Sequence, residues 1–185
     1  MKDYRRNNPL FALCGLNCAL CPIHHMETGC PGCGGGEGHQ SCPVIRCSLE
    51  HGSIEFCSLC ADFPCRRLEE QAAYDSFLPH RNMLHDLKSA GEMGMDAYRQ
   101  QLLERNSHLE WLLDNCNDGR RKTFYCTMAN LLPLPALRAA MARISGEASA
   151  SDPLKARAAV AVRILQDTAL EQGMDWRLHK PSQKT

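Results

Sequence analysis

The sequence predicts a chain in two parts, a small irregular cysteine-rich module followed by a mainly α-helical domain. Ten of the 12 cysteines lie in the first 65 residues, and the stretch from Cys30 to Ser41 is too rich in glycine for a helix or a side-chain core. Helical periodicity begins only after Cys65. We therefore expect a module over residues 1–65, a helical domain over 66–180 and a disordered tail over 181–185.

Pairs of cysteines separated by two residues are the main feature of the module. This spacing lets both sulfurs face one metal ion in a tight turn. Because the segment has few apolar side chains to bury, bound metal would have to supply folding energy. The sequence thus predicts a small irregular metal-stapled module in which all ten cysteines are candidate ligands. The pairs are Cys18/Cys21, Cys30/Cys33 and Cys57/Cys60, and the other candidates are Cys14, Cys42, Cys47 and Cys65.

Counting ligands leaves the number of zinc ions open between two and three. Two four-thiolate sites would leave two cysteines spare, whereas one mononuclear site and one six-thiolate dinuclear cluster would use all ten. Three mononuclear sites would also need two histidines. The candidate histidines are His24, His25, His39 and His51.

The grouping of the thiolates is equally open. Cys18, Cys21, Cys30 and Cys33 together have the outline of a zinc-ribbon or rubredoxin-like site. We favour one site made by the last four cysteines of the module, with the remaining ligands among the first six, and an interleaved cross-brace is the alternative. The favoured set is Cys47, Cys57, Cys60 and Cys65.

Iron is the alternative metal, because thiolates also hold iron–sulfur clusters. Cys21-Pro22 and Cys42-Pro43 are similar to the Cys-Pro that closes a ferredoxin ligand run, but the complete ferredoxin spacing is absent. The Cys14-x3-Cys18-x2-Cys21 spacing matches that of radical S-adenosylmethionine enzymes. The rest of the chain lacks the strands and the length of their β/α barrel, so zinc is favoured.

Apolar periodicity predicts five helices after the module, preceded by a short apolar strand or turn at Leu10–Leu13. One apolar face should comprise Tyr98, Leu102, Leu109, Leu113 and Cys116, and another Leu154, Ala158, Ala161, Leu165 and Ala169. The predicted helices are one starting near Pro64, one over Asn82–Ala90, one over Asp96–Asn115, one around Leu137 and Ile144 ending at Gly146, and one capped by Ser151 or Asp152 and followed by Gly173.

A basic run at Arg120, Arg121 and Lys122 follows the third predicted helix and precedes two aromatic residues. Arginine forks match phosphate or carboxylate, so the run is a candidate site for a small anion. Charges just after a helix end also stabilise its dipole, and we favour that interpretation.

The remaining cysteines and histidines carry weaker predictions. Cys116 and Cys126 could form a second metal pair or a redox couple, but small buried core residues are the favoured interpretation. His80, His85 and His108 are isolated and should be surface or locally bonded residues.

Composition excludes several classes. Lys plus Arg and Asp plus Glu both number 21, which gives no basic excess for nucleic acid. No apolar run has the length of a signal peptide or a membrane span, so we expect a soluble cytoplasmic protein with reduced thiols and no membrane partner. No catalytic or nucleotide-phosphate motif is identifiable, which makes an enzyme the less favoured class.

Residues 11 to about 70 resemble a prokaryotic family, domain of unknown function 3795. The resemblance is carried by Cys14–Pro22, Cys30–Cys33, Cys42–Cys47 and Cys57–Cys65, and more loosely by the segment from Asn115 to Cys126. It implies zinc binding by the cysteines and no established activity. We therefore predict a zinc-binding protein whose metal is mainly structural and which presents a surface to a partner protein or a small anionic ligand. The alternative is an iron–sulfur or thiol-based redox or metal-handling protein.

Overall fold

The computed structural model describes residues 4–37 and 42–180. Within these ranges it is mainly helical, as predicted, with seven α-helices and no β-strand. The predicted ligand His39 and the predicted tail at 181–185 lie outside the described residues. The helices are α1 Pro43–Glu50, α2 Arg66–Ala72, α3 Met83–Met93, α4 Met95–Cys116, α5 Lys122–Leu131, α6 Leu134–Glu147 and α7 Leu154–Glu171, and short 3₁₀ turns occur at Cys18–Leu20 and Cys57–Leu59.

The chain divides into two compact units. The first comprises Met1–Leu102 and Leu178–Thr185, and the second is Leu103–Arg177, so α4 runs from one into the other. The predicted boundary after residue 65 concerns which residues need metal to fold, and it stays a prediction. None of the helices in the described residues is long and apolar enough to cross a membrane.

The first unit contains a small aromatic core beneath the cysteine loops. Phe11, predicted to lie in a strand or turn, lies in a turn and is buried, and its ring centroid is 4.6 Å from that of Tyr98 and 5.5 Å from that of Phe56. Leu13 and Leu20 are buried in the same unit. The cysteine-rich region therefore has apolar contacts of its own, beyond what its glycine content indicated.

Helix α1 makes the cysteine-rich region less irregular than predicted. Pro43 occupies its first turn, where the missing N–H costs nothing, and Val44 and Ile45 are buried. Helix α3 also departs from the prediction, since it continues through Gly91 to Met93. The glycine that ends it is Gly94, at φ +87°, because the positive φ there breaks the helical geometry at no cost to glycine.

The C-terminal residues of the first unit are held by Asp75. Its backbone N–H donates to the carbonyl of His179 over 2.8 Å, and its carboxylate accepts the backbone N–H groups of His179 and His80, each over 2.7 Å. The Arg81 guanidinium lies 3.2 Å from the same carboxylate. The two contacts with His179 connect residues 104 positions apart in sequence.

The second unit is a helical core in which α6 packs on α7. On α4 the predicted apolar face is buried except for Leu113, which is only half-buried while its neighbour Leu112 is buried. On α7 the predicted stripe is buried except for Leu154, which is 40% exposed at the first turn. Sequence periodicity locates a helical face to within one position, because a wide apolar face tolerates either neighbour.

Two helix starts in this unit differ from the prediction. Helix α6 begins at Leu134, inside the predicted turn, since Pro135 is tolerated in a first turn, and it ends one residue beyond Gly146. Pro153 is the N-cap of α7, where no side chain caps the helix. The Asp152 carboxylate instead accepts the backbone N–H of Ser149.

Candidate metal centre

The loop that carries Cys14 and Cys18 is shaped by close backbone contacts. The N–H of Ala12 donates to the carbonyl of Leu16 over 2.8 Å, and the N–H of Gly15 donates to that of Ala12 over 2.9 Å. Gly15 has φ +93°, and a Cβ at this position would lie 2.3 Å from the carbonyl oxygen of Met83. Only glycine fits here, because both the backbone angle and the available space exclude a side chain.

A first group of thiols consists of Cys14, Cys18, Cys33 and Cys42, and we call it the first cluster. Burial, together with the charges of Cys33 and Cys42, raises the pKa of Cys14 to about 12. Burial is also the main cause that raises the pKa of Cys18, followed by the charges of Cys14 and Cys33. Thiols whose charges oppose the ionisation of Cys14 and Cys18 in this way would need a cation to become thiolates together.

Backbone hydrogen bonds act on these sulfurs in the opposite direction. Burial raises the pKa of Cys33, whereas the backbone of Leu13 and the Arg6 guanidinium lower it. A backbone hydrogen bond from Leu16 lowers the pKa of Cys14, and one from Cys33 lowers that of Cys18. Amides directed at sulfur stabilise the thiolate, which is the form that binds metal.

Arg6 is a feature of this cluster that the sequence interpretation missed. Its guanidinium, with the side chain 1% exposed, donates to the carbonyl of Phe11 over 2.9 Å and to that of Glu55 over 2.6 Å, and it forms an ion pair with the Glu55 carboxylate. It also donates to the carbonyl of Cys33. Nothing in the sequence links Arg6 to Glu55, because the contact depends on tertiary structure.

A second group, the second cluster, consists of Cys47, Cys57, Cys60 and Cys65. All four line one cavity of about 30 Å³, measured as the space open to the centre of a water-sized sphere. Burial, the charge of Cys14 in the first cluster and the charges of Cys65, Cys47 and Cys60 together raise the pKa of Cys57 to about 12, so Cys57 also lies near the first cluster. The structure thus brings together the four cysteines that the spacing favoured as one site. Metal binding by them stays a prediction.

His51 and Asp62 line the same cavity. Three possible metal ligand atoms lie within 4.8 Å of one another here: a ring nitrogen of His51, the sulfur of Cys60 and a carboxylate oxygen of Asp62. The sequence interpretation considered His51 as a ligand and missed Asp62, because a lone aspartate near cysteines carries no spacing signal.

Cys21 and Cys30 form a separate pair. Burial raises the pKa of Cys21, backbone hydrogen bonds from Ile23 and His24 lower it, and the charge of Cys30 raises it further. The Nδ1 atom of His24 lies 2.8 Å from the carbonyl oxygen of Cys30. The charge of Cys21 also raises the pKa of Cys18, after those of Cys14 and Cys33, and the zinc-ribbon grouping stays a prediction.

The basic run lies at the start of α5. Arg120 is exposed, and its backbone N–H donates to the Asp118 carboxylate, which also lies 3.6 Å from Nε of Arg121. The Asn117 side chain accepts the backbone N–H of Arg121. These contacts belong to the turn between α4 and α5, and the anion role of the run, including Lys122, stays a prediction.

The other predicted candidates lie in local structure. Cys116 and Cys126 are both fully buried and neither is in a disulfide, as expected for core residues. The His80 ring contacts the Gln71 carbonyl and the Ser76 hydroxyl, while His85 and His108 lie beside carboxylates on their own helices.

Comparison with known proteins agrees with the family resemblance. Residues 10–70 match the model of a family described as a protein of unknown function, DUF3795. The matched segment contains both clusters and the Cys21–Cys30 pair. No curated protein and no solved structure matched the chain.

Proposed function

We propose that the segment from Cys14 to Cys65 is a zinc-binding module whose metal is mainly structural, with the first cluster and the second cluster each holding one ion. The observation that carries this proposal is the assembly of eight thiols into two groups of four. Zinc in structural sites takes four protein ligands, often all cysteine. Bound zinc would supply the positive charge that lets each group ionise.

The residues around the clusters fit this role. Burial opposes ionisation of Cys14 and Cys57, so the energy of metal binding would be coupled to folding of the loops that bring the thiols together. Amides directed at sulfur and the buried Arg6 favour the thiolate form. Nitrogen and oxygen donors of His51 and Asp62 beside the second cluster suit zinc better than an iron–sulfur cluster, which is held by thiolates.

Metal analysis of protein purified without air tests the proposal. We expect about two tightly held zinc ions per chain and no visible absorption, because Zn²⁺ is d¹⁰. Removal of zinc with a strong chelator should increase hydrogen exchange over residues 10–70 and leave residues 103–177 protected. Iron with acid-labile sulfide would overturn the proposal in favour of a redox centre, and unchanged protection after complete metal removal would contradict the structural role.

The binding role is proposed for the surface of the same module. Leu59, in the 3₁₀ turn between Cys57 and Cys60, is 67% exposed, and Leu49 on α1 is also exposed. Zinc on the second cluster would order this turn and present the leucine to a partner protein. Leu59→Ser should retain zinc and lose a partner captured by crosslinking, whereas Leu170→Ser, at an equally exposed position of the second unit, should retain both. Equal capture by the two variants would contradict this surface.

A further inference from the structure

The cavity of the second cluster contains more donors than one zinc ion uses. Four thiols supply a complete ligand set for one structural ion. His51 and Asp62 add a nitrogen and an oxygen donor at the same cavity, and their donor atoms lie within 4.8 Å of each other and of the Cys60 sulfur. Six donors in one cavity exceed the need of a single four-coordinate ion and are enough for two ions if one thiolate is shared.

The hydrogen bonding of His51 suits a metal ligand. Its Nδ1 lies 2.8 Å from the carbonyl oxygen of Cys47 and 3.7 Å from the sulfur of the same residue. A carbonyl can only accept, so Nδ1 carries the proton and the neutral ring has its lone pair on Nε2. Ligating histidines usually donate their other N–H to a carbonyl or a carboxylate in this way, which fixes the tautomer and the ring orientation.

The three residues lie at the protein surface, and the four thiols of the second cluster are themselves only half-buried. His51 and Asp62 are exposed, and Cys60 is half-buried. A set of only three protein donors leaves a coordination position to solvent, as in open zinc sites and unlike closed structural ones. An ion held by this set would therefore bind more weakly than one enclosed by four thiolates and would exchange with solution.

We propose that His51, Cys60 and Asp62 form a second, solvent-accessible metal site at the edge of the second cluster, which takes an exchangeable divalent ion such as Zn²⁺ or Co²⁺ and shares Cys60 with the structural ion. This inference rests on the proposed function, since the structural ion must occupy the second cluster. The other metal sites of the module are closed. This open site would let its ion exchange with solution or take an external ligand.

Cobalt titration of the full-length, zinc-loaded chain tests this proposal. Loosely held metal is first removed on a desalting column, and Co²⁺ is then added without air while zinc content and visible absorption are recorded. We expect about one further Co²⁺ per chain, with absorption bands of a sulfur-bound ion, and no loss of the tight zinc. Asp62→Asn and His51→Gln should each weaken this Co²⁺ by about tenfold or more.

Matched variants identify the site and separate it from the structural zinc. Glu50→Gln removes one exposed negative charge next to His51 and should leave Co²⁺ binding unchanged. Cys30→Ser should also leave it unchanged, and loss of the additional Co²⁺ in this variant would overturn the proposal by assigning the ion to the Cys21–Cys30 pair.

The remaining outcomes separate the two proposals. Two outcomes would overturn this inference alone. In one, the wild-type chain keeps its tight zinc but binds no Co²⁺. In the other, Asp62→Asn binds Co²⁺ as tightly as Glu50→Gln does. Chain purified without any tight metal would overturn the proposed function, and the shared-thiolate site with it.

Discussion

The hydroxyl of Tyr98 donates a hydrogen bond to Oδ1 of Asn17 over 2.9 Å, and both residues are buried. Asn17 lies in the loop that carries Cys14 and Cys18, and its Nδ2 donates to the Asp86 carboxylate over the same distance. Helices α3 and α4 thus hold the loop of the first cluster through one asparagine. The position of the candidate ligands thus depends on Tyr98 and Asp86, which are far from every cysteine of the loop in sequence.

Tyr98→Phe should destabilise the chain by about 1–3 kcal/mol, because it leaves the buried Asn17 oxygen without this donor while keeping the aromatic ring. Urea unfolding of the zinc-loaded protein measures the change. Tyr74→Phe is the matched control, since this tyrosine is 50% exposed and its change should stay within about 0.5 kcal/mol. Equal stabilities of the two variants would show that the hydrogen bond contributes nothing.

Gly15→Ala should destabilise the chain by more than about 2 kcal/mol and reduce zinc retention, because it adds a left-handed backbone penalty to a clash with the Met83 carbonyl. Gly91→Ala should have the opposite effect and stabilise by roughly 1 kcal/mol. Gly91 is inside α3 with open space around it, and alanine is the better helix former. Thermal unfolding and zinc analysis of both variants check this pair, and a tolerated Gly15→Ala would mean that the loop adopts another conformation.

Cysteine variants in the two units should separate metal binding from packing. Cys33→Ser is expected to lose about one of the two zinc ions, since it removes a ligand of the first cluster. Cys126→Ser is expected to keep the full zinc content and to lose about 1–3 kcal/mol of stability, because a hydroxyl replaces a fully buried thiol. Zinc loss from Cys126→Ser would instead favour a second metal pair with Cys116.

Asp75 should give the first unit an acid-sensitive contact. Burial alone would raise the pKa of its carboxyl, but the backbone N–H groups of His80 and His179 and the Arg81 guanidinium lower it below its ordinary value of 3.8. A group with a lowered pKa stabilises the fold above the unfolded value and loses that contribution as pH falls through the folded one.

The stability difference between wild type and Asp75→Asn should therefore be constant near neutral pH and shrink below pH 3.8. Urea unfolding at each pH measures the stability of both proteins. The effect of acid release of metal cancels in the difference between them, because it affects both proteins. An Asp75 difference that does not change with pH would rule out this ionisation as its source.

Helices were predictable from sequence where one face is apolar and the other polar. The periodic segment at Asp96–Asn115 corresponds to α4 within one residue at each end. Helix α5 was missed, because its buried residues from Tyr125 to Leu131 include the polar Thr127 and Asn130, so apolar spacing alone does not mark the buried side. Helix α1 was missed because Cys42-Pro43 was compared with a ferredoxin ligand run and Cys47 was interpreted only as a ligand.

The sequence by itself determined which cysteines are candidate ligands and where most helices lie. Both depend on short-range spacing: two residues between paired cysteines, and three or four between apolar positions. Only the tertiary structure decided which thiols meet, that Arg6 and Glu55 lie beside Cys33, and that Asp62 joins His51 and Cys60. These associations connect distant parts of the chain through backbone contacts such as that between Cys57 and Leu13, which no local pattern encodes.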